Sequence, residues 1–210
     1  MDRGKTYRVG KRMAGQTAVP RVLAFGLVVC VFSAAFFVAA PRAEAMTLSQ
    51  FMDRALFKPH NSPITGAMVI NNARWYGVDV LPQLVILAAE TSLGDPRLGG
   101  ELVRRNNFGC LGYRNTPTKW GALANGKVVV AGRTWYTFAT PQAGVMALGR
   151  YLKIGRGGVL RLALDDPPYD WVAFAKAYYG NYPGLEQYTQ KLKYLEAALR
   201  AKAARYGVSF

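Results

Sequence analysis

The sequence predicts a mainly α-helical domain carrying a small β-hairpin lobe. Three observations predict it. Leu81 to Ala89 is apolar but for Gln83, too long for an ordinary strand and bounded by helix signals. Helix starts and stops recur on both sides of it. Between them lies one stretch with strand-like composition and turn residues, Gly126 to Phe138.

The chain has 210 residues, 27 of them Lys or Arg and 12 Asp or Glu. That length suits one domain behind an N-terminal leader. Arg3, Lys5, Arg8, Lys11, Arg12 and Arg21 precede Val22 to Ala40, which has no charged residue. Pro41 ends the run, and Ala43-Glu44-Ala45 is an A-x-A cleavage signal. Residues 1–45 therefore read as an export signal. Cleavage after Ala45 is favoured over an uncleaved anchor, although the apolar run is long enough to span a bilayer. Leu27-Val28-Val29-Cys30 is a poor lipidation signal, because Val29 stands where a small residue belongs. The expected location is outside the cytoplasm: periplasm, cell wall or medium, with a membrane reached only through 22–40.

Residues 46–210 hold 20 basic and 10 acidic side chains. The excess suits an anionic partner such as a cell-wall polymer, or a merely solvated basic surface. Nucleic acid is not expected, since no zinc-finger spacing, RNP-like strand or long basic helix occurs. His60 is the one histidine and Cys110 the one cysteine after the leader. An ordinary His/Cys zinc site and an internal disulfide are both excluded within one chain. No metal or cofactor is expected. Cys110 reads as a small packed residue rather than a nucleophile.

From Met46 onward, Thr47 and Gln50 have the spacing of a capping box, which predicts a short helix carrying Phe51 and Met52. Ser62-Pro63 predicts the start of a second helix, ended by Gly77 near Tyr76. Asp79 as N-cap and Pro82 in the first turn open the apolar helix, and Gly94 is its predicted stop. Glu101 to Arg105 fits one helical turn. Asn125-Gly126 is a hairpin-turn signal next to Val128-Val129-Val130 and Arg133 to Phe138. Thr140-Pro141 starts a further helix, broken by Gly155-Arg156-Gly157-Gly158. That glycine-rich break lacks the strand context and lysine of a phosphate loop. Asp165 and Asp166 are read as caps for a helix from Tyr169, whose Trp171, Phe174, Ala175 and Tyr178 recur at core spacing. The last helix runs from Tyr188 to about Tyr206, and Lys191, Arg200, Lys202 and Arg205 give it a basic surface.

Glu90 stands near the end of the apolar helix. Ile86, Leu87 and Leu93 are its i−4, i−3 and i+3 neighbours. A carboxylate there either reaches solvent past the helix end or is an acid with a raised pKa, able to protonate a leaving oxygen.

Ala89-Glu90-Thr91-Ser92-x-Gly94, followed by Asn106-Asn107-Phe108-Gly109, resembles the signature of bacterial cell-wall glucosaminidases, glycoside hydrolase family 73. The similarity runs from about Ala67 to the C-terminus. It implies a lysozyme-like two-lobed domain and peptidoglycan glycan strands as substrate, cleaved next to N-acetylglucosamine. It implies that Glu90 is the acid, with Asn106, Asn107 and Phe108 in the groove. Tyr182-Pro-Gly-Leu-Glu-Gln-Tyr188 has the spacing of the family's Y-A-T-D-P-x-Y segment. Tyr182 then takes the functional tyrosine's place, Tyr188 the packing one, and Tyr179 is a substitute for Tyr182. Pro183, Gly184 and Leu185 depart from the pattern. Across the groove, Tyr113, Trp120, Trp135 and Tyr136 are candidates to stack on sugars, or to pack the hairpin.

Family members often place a second carboxylate in the hairpin, yet no acid occurs here between Glu101 and Asp165. A single-acid route assisted by the substrate's own 2-acetamido group is therefore the expectation. A lytic transglycosylase also needs one acid, but its G-L-M-Q-like segment is missing. A non-catalytic wall-binding or scaffold protein is the alternative from another class.

Overall fold

The computed structural model describes residues 46–114, 121–180 and 183–210. The leader 1–45, Trp120 and Tyr182 lie outside the described residues, so the readings that rest on them stay expectations. The fold is mainly α with one small antiparallel sheet.

Helix α1 (Leu48–Phe51) opens with the expected capping box: Gln50 N–H donates to Thr47 Oγ1 and Thr47 N–H to Gln50 Oε1. The chain winds on through a wider π-type stretch, Met52–Phe57, that buries Met52, Ala55, Leu56 and Phe57. Helix α2 (Gly66–Tyr76) begins three residues later than Pro63 predicts. Its cap is Thr65, whose hydroxyl accepts from Met68 N–H, while Ser62 Oγ accepts locally from Ile64 N–H. Gly77 stops it in the left-handed region, as expected.

Helix α3 (Val80–Thr91) is the central rod. Leu81, Leu84, Val85, Ile86 and Leu87 are essentially inaccessible, which a helix apolar on every face requires. It ends at Thr91 rather than at Gly94. Ser92 and Leu93 both take positive φ, and the Ser92 N–H closes on the Leu87 and Ala88 carbonyls. The carbonyl-capping turn thus falls on two non-glycine residues held by packing, with Leu93 buried.

Helix α4 (Gly100–Arg104) is the expected single turn. Strands β1 (Gly126–Val130) and β2 (Arg133–Thr137) pair in the register Val128 with Trp135 and Val130 with Arg133. The reversal is made by Ala131 and Gly132, both at positive φ, as a tight hairpin needs. Asn125-Gly126, the expected turn, instead sits at the open end, where Asn125 N–H donates to the Thr137 carbonyl.

Helix α5 (Pro141–Ile154) is capped by Thr140 and broken at Gly155, as its sequence predicts. A short turn α6 (Val159–Leu162) follows. Helix α7 (Trp171–Tyr179) is capped by Asp170, whose carboxylate accepts from the Val172 and Ala173 N–H groups. This corrects the assignment of capping to Asp165 and Asp166: Asp165 pairs with Arg161 one turn back. Helix α8 (Leu185–Arg205) is the longest described and packs along α3 and α7. Buried Asn72 and Gln83 hydrogen-bond each other between α2 and α3, and Asn72 also donates to the Val145 carbonyl of α5.

Candidate active site

The site forms where the end of α3 meets α7, α8 and the corner after α4. Two local devices build that corner. Thr91, next to Glu90, donates its hydroxyl to the carbonyls of Leu87 and Phe108, which ties the helix end to the Asn106–Gly109 loop. Asn107 is fully buried and answers three backbone groups. Its amide donates to the Leu111 and Tyr136 carbonyls and its oxygen accepts from Leu111 N–H. The corner and β2 are thereby locked together. Asn106 donates to the Phe138 carbonyl from a left-handed backbone. Gly144 of α5 comes so close beneath it that a Cβ there would lie 1.8 Å from the Asn106 carbonyl oxygen.

Asn107, Phe108 and Tyr136 are therefore corrected from ligand contacts to framework. Phe108 and Asn107 have no exposed surface and Tyr136 almost none, so a sugar does not reach them. The physical reason is the corner itself: its unpaired backbone groups must be satisfied internally, and the motif residues satisfy them. Asn106 is half-buried but spends its amide on Phe138.

Glu90 is half-buried, and burial raises its carboxyl above the usual range. Three weaker influences pull the other way. Tyr188 donates its hydroxyl to Glu90 Oε1 at 2.5 Å, the Cys110 thiol, which donates to the Glu90 backbone carbonyl, also favours the carboxylate, and the Lys191 ammonium lies nearby. Lys191 Nζ is anchored 2.6 Å from the Ala89 carbonyl, at the negative end of α3. Tyr188 and Lys191 are one turn apart on α8, so a single helix face delivers a hydroxyl and a cation to the acid. Lys191, expected on a solvated or polymer-facing basic surface, has this second role.

Tyr188 is held by rings on two sides. Tyr179 stacks on it at 5.0 Å between centroids and 17° between planes, and Tyr178 lies parallel at 6.5 Å. Tyr178 donates its hydroxyl to the Gly109 carbonyl, fastening α7 to the corner. Tyr188, read from the sequence as a packing residue, is thus the tyrosine on Glu90. Tyr179 is substantially exposed at the edge of the same stack. No sequence signal separates the two roles, because which tyrosine meets the acid depends on how α7 and α8 cross α3.

Burial, first, and then the charge of Glu90 push the Cys110 thiol well above its ordinary value. It has no thiolate character at neutral pH, and so no nucleophile. Glu101 is engaged by Arg105 at 2.8 Å and Arg104 at 3.5 Å, and those partners hold it below the ordinary carboxylate range. Such a carboxylate is a poor candidate for a second proton-handling group. Among the described residues no cluster of three His, Cys, Asp or Glu side chains is arranged to hold a metal.

An open cavity of about 370 Å³ adjoins the acid. Glu90 does not line it, but Cys110 and Tyr178 do, and they join it to Trp135, Tyr113 and Tyr151. Segment Leu111–Tyr113 runs beside β2, with Tyr113 N–H on the Thr134 carbonyl, so the sheet edge forms the far wall. Tyr113 and Trp135 are half-buried, and Lys127 Nζ sits 4.8 Å over the Tyr113 ring. Of the expected sugar contacts, these two are the described ones that reach the cavity.

No family model matches the chain, and the searches of curated proteins and of solved structures found no match either. Among the described residues no helix is long and apolar enough to cross a membrane.

Proposed function

We propose that the protein is an exported peptidoglycan hydrolase of lysozyme-like, two-lobed architecture, cleaving β-1,4 bonds next to N-acetylglucosamine. The observation that carries this reading is Glu90: a carboxyl raised by burial, beside an open cavity with aromatic walls. The glucosaminidase-like motifs point the same way. Residues 1–45 serve export, to the periplasm or cell wall, and 46–210 are the catalytic domain.

In this mechanism Glu90 holds its proton until a glycosidic oxygen arrives. Proton transfer to that oxygen breaks its bond to the anomeric carbon. The carbonyl oxygen of the substrate's 2-acetamido group attacks the same carbon, forming a cyclic oxazolinium. Water then opens the ring and returns a proton to Glu90. The Tyr188 hydroxyl and the Lys191 ammonium stabilise the carboxylate left after the first transfer. Tyr179, exposed beside Tyr188, is the described candidate to steady the acetamido group, with Tyr182 the other.

A lytic transglycosylase is the second reading. The engagement of Glu101 in ion pairs fits it as well as the first reading, since Glu90 alone would act as acid and then base. The test is incubation of isolated peptidoglycan with wild type and Glu90→Gln, followed by mass spectrometry. Reducing N-acetylglucosamine ends from wild type alone support hydrolysis. Anhydro-muramic ends move the protein to the transglycosylases. Binding by both without release overturns the enzyme reading in favour of a wall-binding or scaffold protein.

A further inference from the structure

The positive charge of residues 46–210 is not spread evenly. Between Glu101 and Asp165 there are ten basic residues and no acidic one. The rest of that region has ten of each and is neutral. The whole excess therefore falls in the stretch from α4 to α6, where Arg104 and Arg105 pair with Glu101 and Arg161 pairs with Asp165. Three of those cations, Arg114, Arg133 and Arg156, converge on the cavity beside Glu90.

All three arginines are exposed, and among the described residues none is in an ion pair with a carboxylate. They come from three separate elements: the segment after the corner, the first residue of β2, and the break after α5. Arg156 takes positive φ, a conformation that costs a non-glycine residue, in a turn whose other residues are glycines. Like charges gathered around one hollow repel each other, and an anion entering it relieves that repulsion. Guanidinium is planar with paired N–H donors, a geometry that matches carboxylate oxygens two at a time. Trp135 adds an apolar ring to the same wall, its indole N–H already donated to the Val130 carbonyl.

We propose that this arginine-walled cavity is a subsite for a carboxylate carried on the glycan, next to the bond that Glu90 cleaves. The proposal rests on the glycosidase reading for the nature of the ligand. It makes acidic saccharides the preferred substrate class. Two sources supply that chemistry in a cell wall: the lactyl carboxylate of a muramoyl sugar freed of its peptide, and the carboxylates of an attached peptide.

The experiment uses the full chain bearing Glu90→Gln, recovered after expression and export, and follows binding by tryptophan fluorescence at low salt. The probes are a neutral N-acetylglucosamine tetramer, a muramoyl-containing tetrasaccharide with free lactyl carboxylates, and the same tetrasaccharide carrying peptides. At least one carboxylate probe is expected to bind about tenfold or more tightly than the neutral tetramer. Whichever of the two binds better identifies the source. Arg133→Gln combined with Arg156→Gln should erase that ratio, weakening the carboxylate probes about tenfold more than the neutral tetramer. The charge-matched pair Arg150→Gln with Lys153→Gln, in a separate hollow beside Trp75, should preserve it.

Equal binding of all three probes overturns the proposal, as does an equal loss of preference in the charge-matched pair. The glycosidase reading fails separately. Wild-type cleavage without carboxylate preference overturns only the subsite. Arginine-dependent preference for carboxylates, with no cleavage by wild type, overturns only the enzyme.

Discussion

Glu90 and Asp95 are five residues apart, both shielded at the end of α3, and their acidities are driven in opposite directions. The Asp95 side chain is closed to solvent, yet it is surrounded by donors. Arg97 reaches it through its backbone N–H, Nε and Nη2, and His60 Nδ1 lies 3.3 Å away. Those hydrogen bonds and the guanidinium charge outweigh desolvation and hold Asp95 well below the usual carboxylate range. Glu90 receives a phenol, a thiol and a more distant ammonium, and desolvation prevails. Burial alone does not make an acid catalytic: the number and charge of the donors that accompany it decide the sign. Asp95 is a structural clasp between the His60 turn and the end of α3, whereas Glu90 is left able to hold a proton.

Replacing each acid by its amide is the strongest way to break this comparison. Under the proposed glycosidase mechanism Glu90→Gln removes the proton donor, and cleavage of peptidoglycan should fall by about 10²- to 10⁴-fold, with the circular-dichroism spectrum unchanged. Asp95→Asn should leave the chemistry in place and lower Tm, because the Arg97 guanidinium loses its charged acceptor. Retained Tm in that variant would remove Asp95 from its structural role.

The two acids should also give opposite dependences of stability on pH. Asp95 is depressed in the folded state, so its contribution is present above the ordinary carboxylate pKa and is lost as pH falls through the folded value. Glu90 is raised, so its contribution is complete below the ordinary carboxylate pKa and is lost as pH rises through the folded value. Glu90→Gln should accordingly raise Tm relative to wild type at pH 7.5 more than at pH 4. A uniform shift at both values would mean that Glu90 titrates normally.

Smaller changes sharpen the same contrast. Tyr188→Phe keeps the ring between Tyr178 and Tyr179 but withdraws the hydroxyl that favours the carboxylate. Glu90 should then hold its proton to higher pH, and the alkaline limb of the pH–rate profile should move up. Lys191→Met should move it the same way and by less, since the ammonium is bonded to the Ala89 carbonyl rather than to the acid. Motion of the limb downward in either variant would contradict the assigned influences.

Much of this arrangement is legible in the chain itself. The apolar run with Pro82 in its first turn dictates a buried helix that carries Glu90 inward, whereas Asp79 holds the N-cap position without a capping bond and its carboxylate accepts from the Tyr169 hydroxyl instead. Thr47, Thr140 and the glycine stops at Gly77 and Gly155 set helix ends through local hydrogen bonding, which is why they match their sequence signals. The acid-free stretch from Glu101 to Asp165 is likewise a property of sequence alone. Tertiary structure decided the rest. Asn107 and Phe108 became framework because the corner after α4 had to satisfy its own backbone. The end of α3 moved to Thr91 because Leu93 was needed in the core. The choice of Tyr188 as the tyrosine on Glu90, and the gathering of Arg114, Arg133 and Arg156 at one cavity, follow from how distant segments pack. Periodicity and capping act over a few residues, while these contacts join groups up to about a hundred positions apart, as with Glu90 and Tyr188. No local pattern encodes which helix faces will meet.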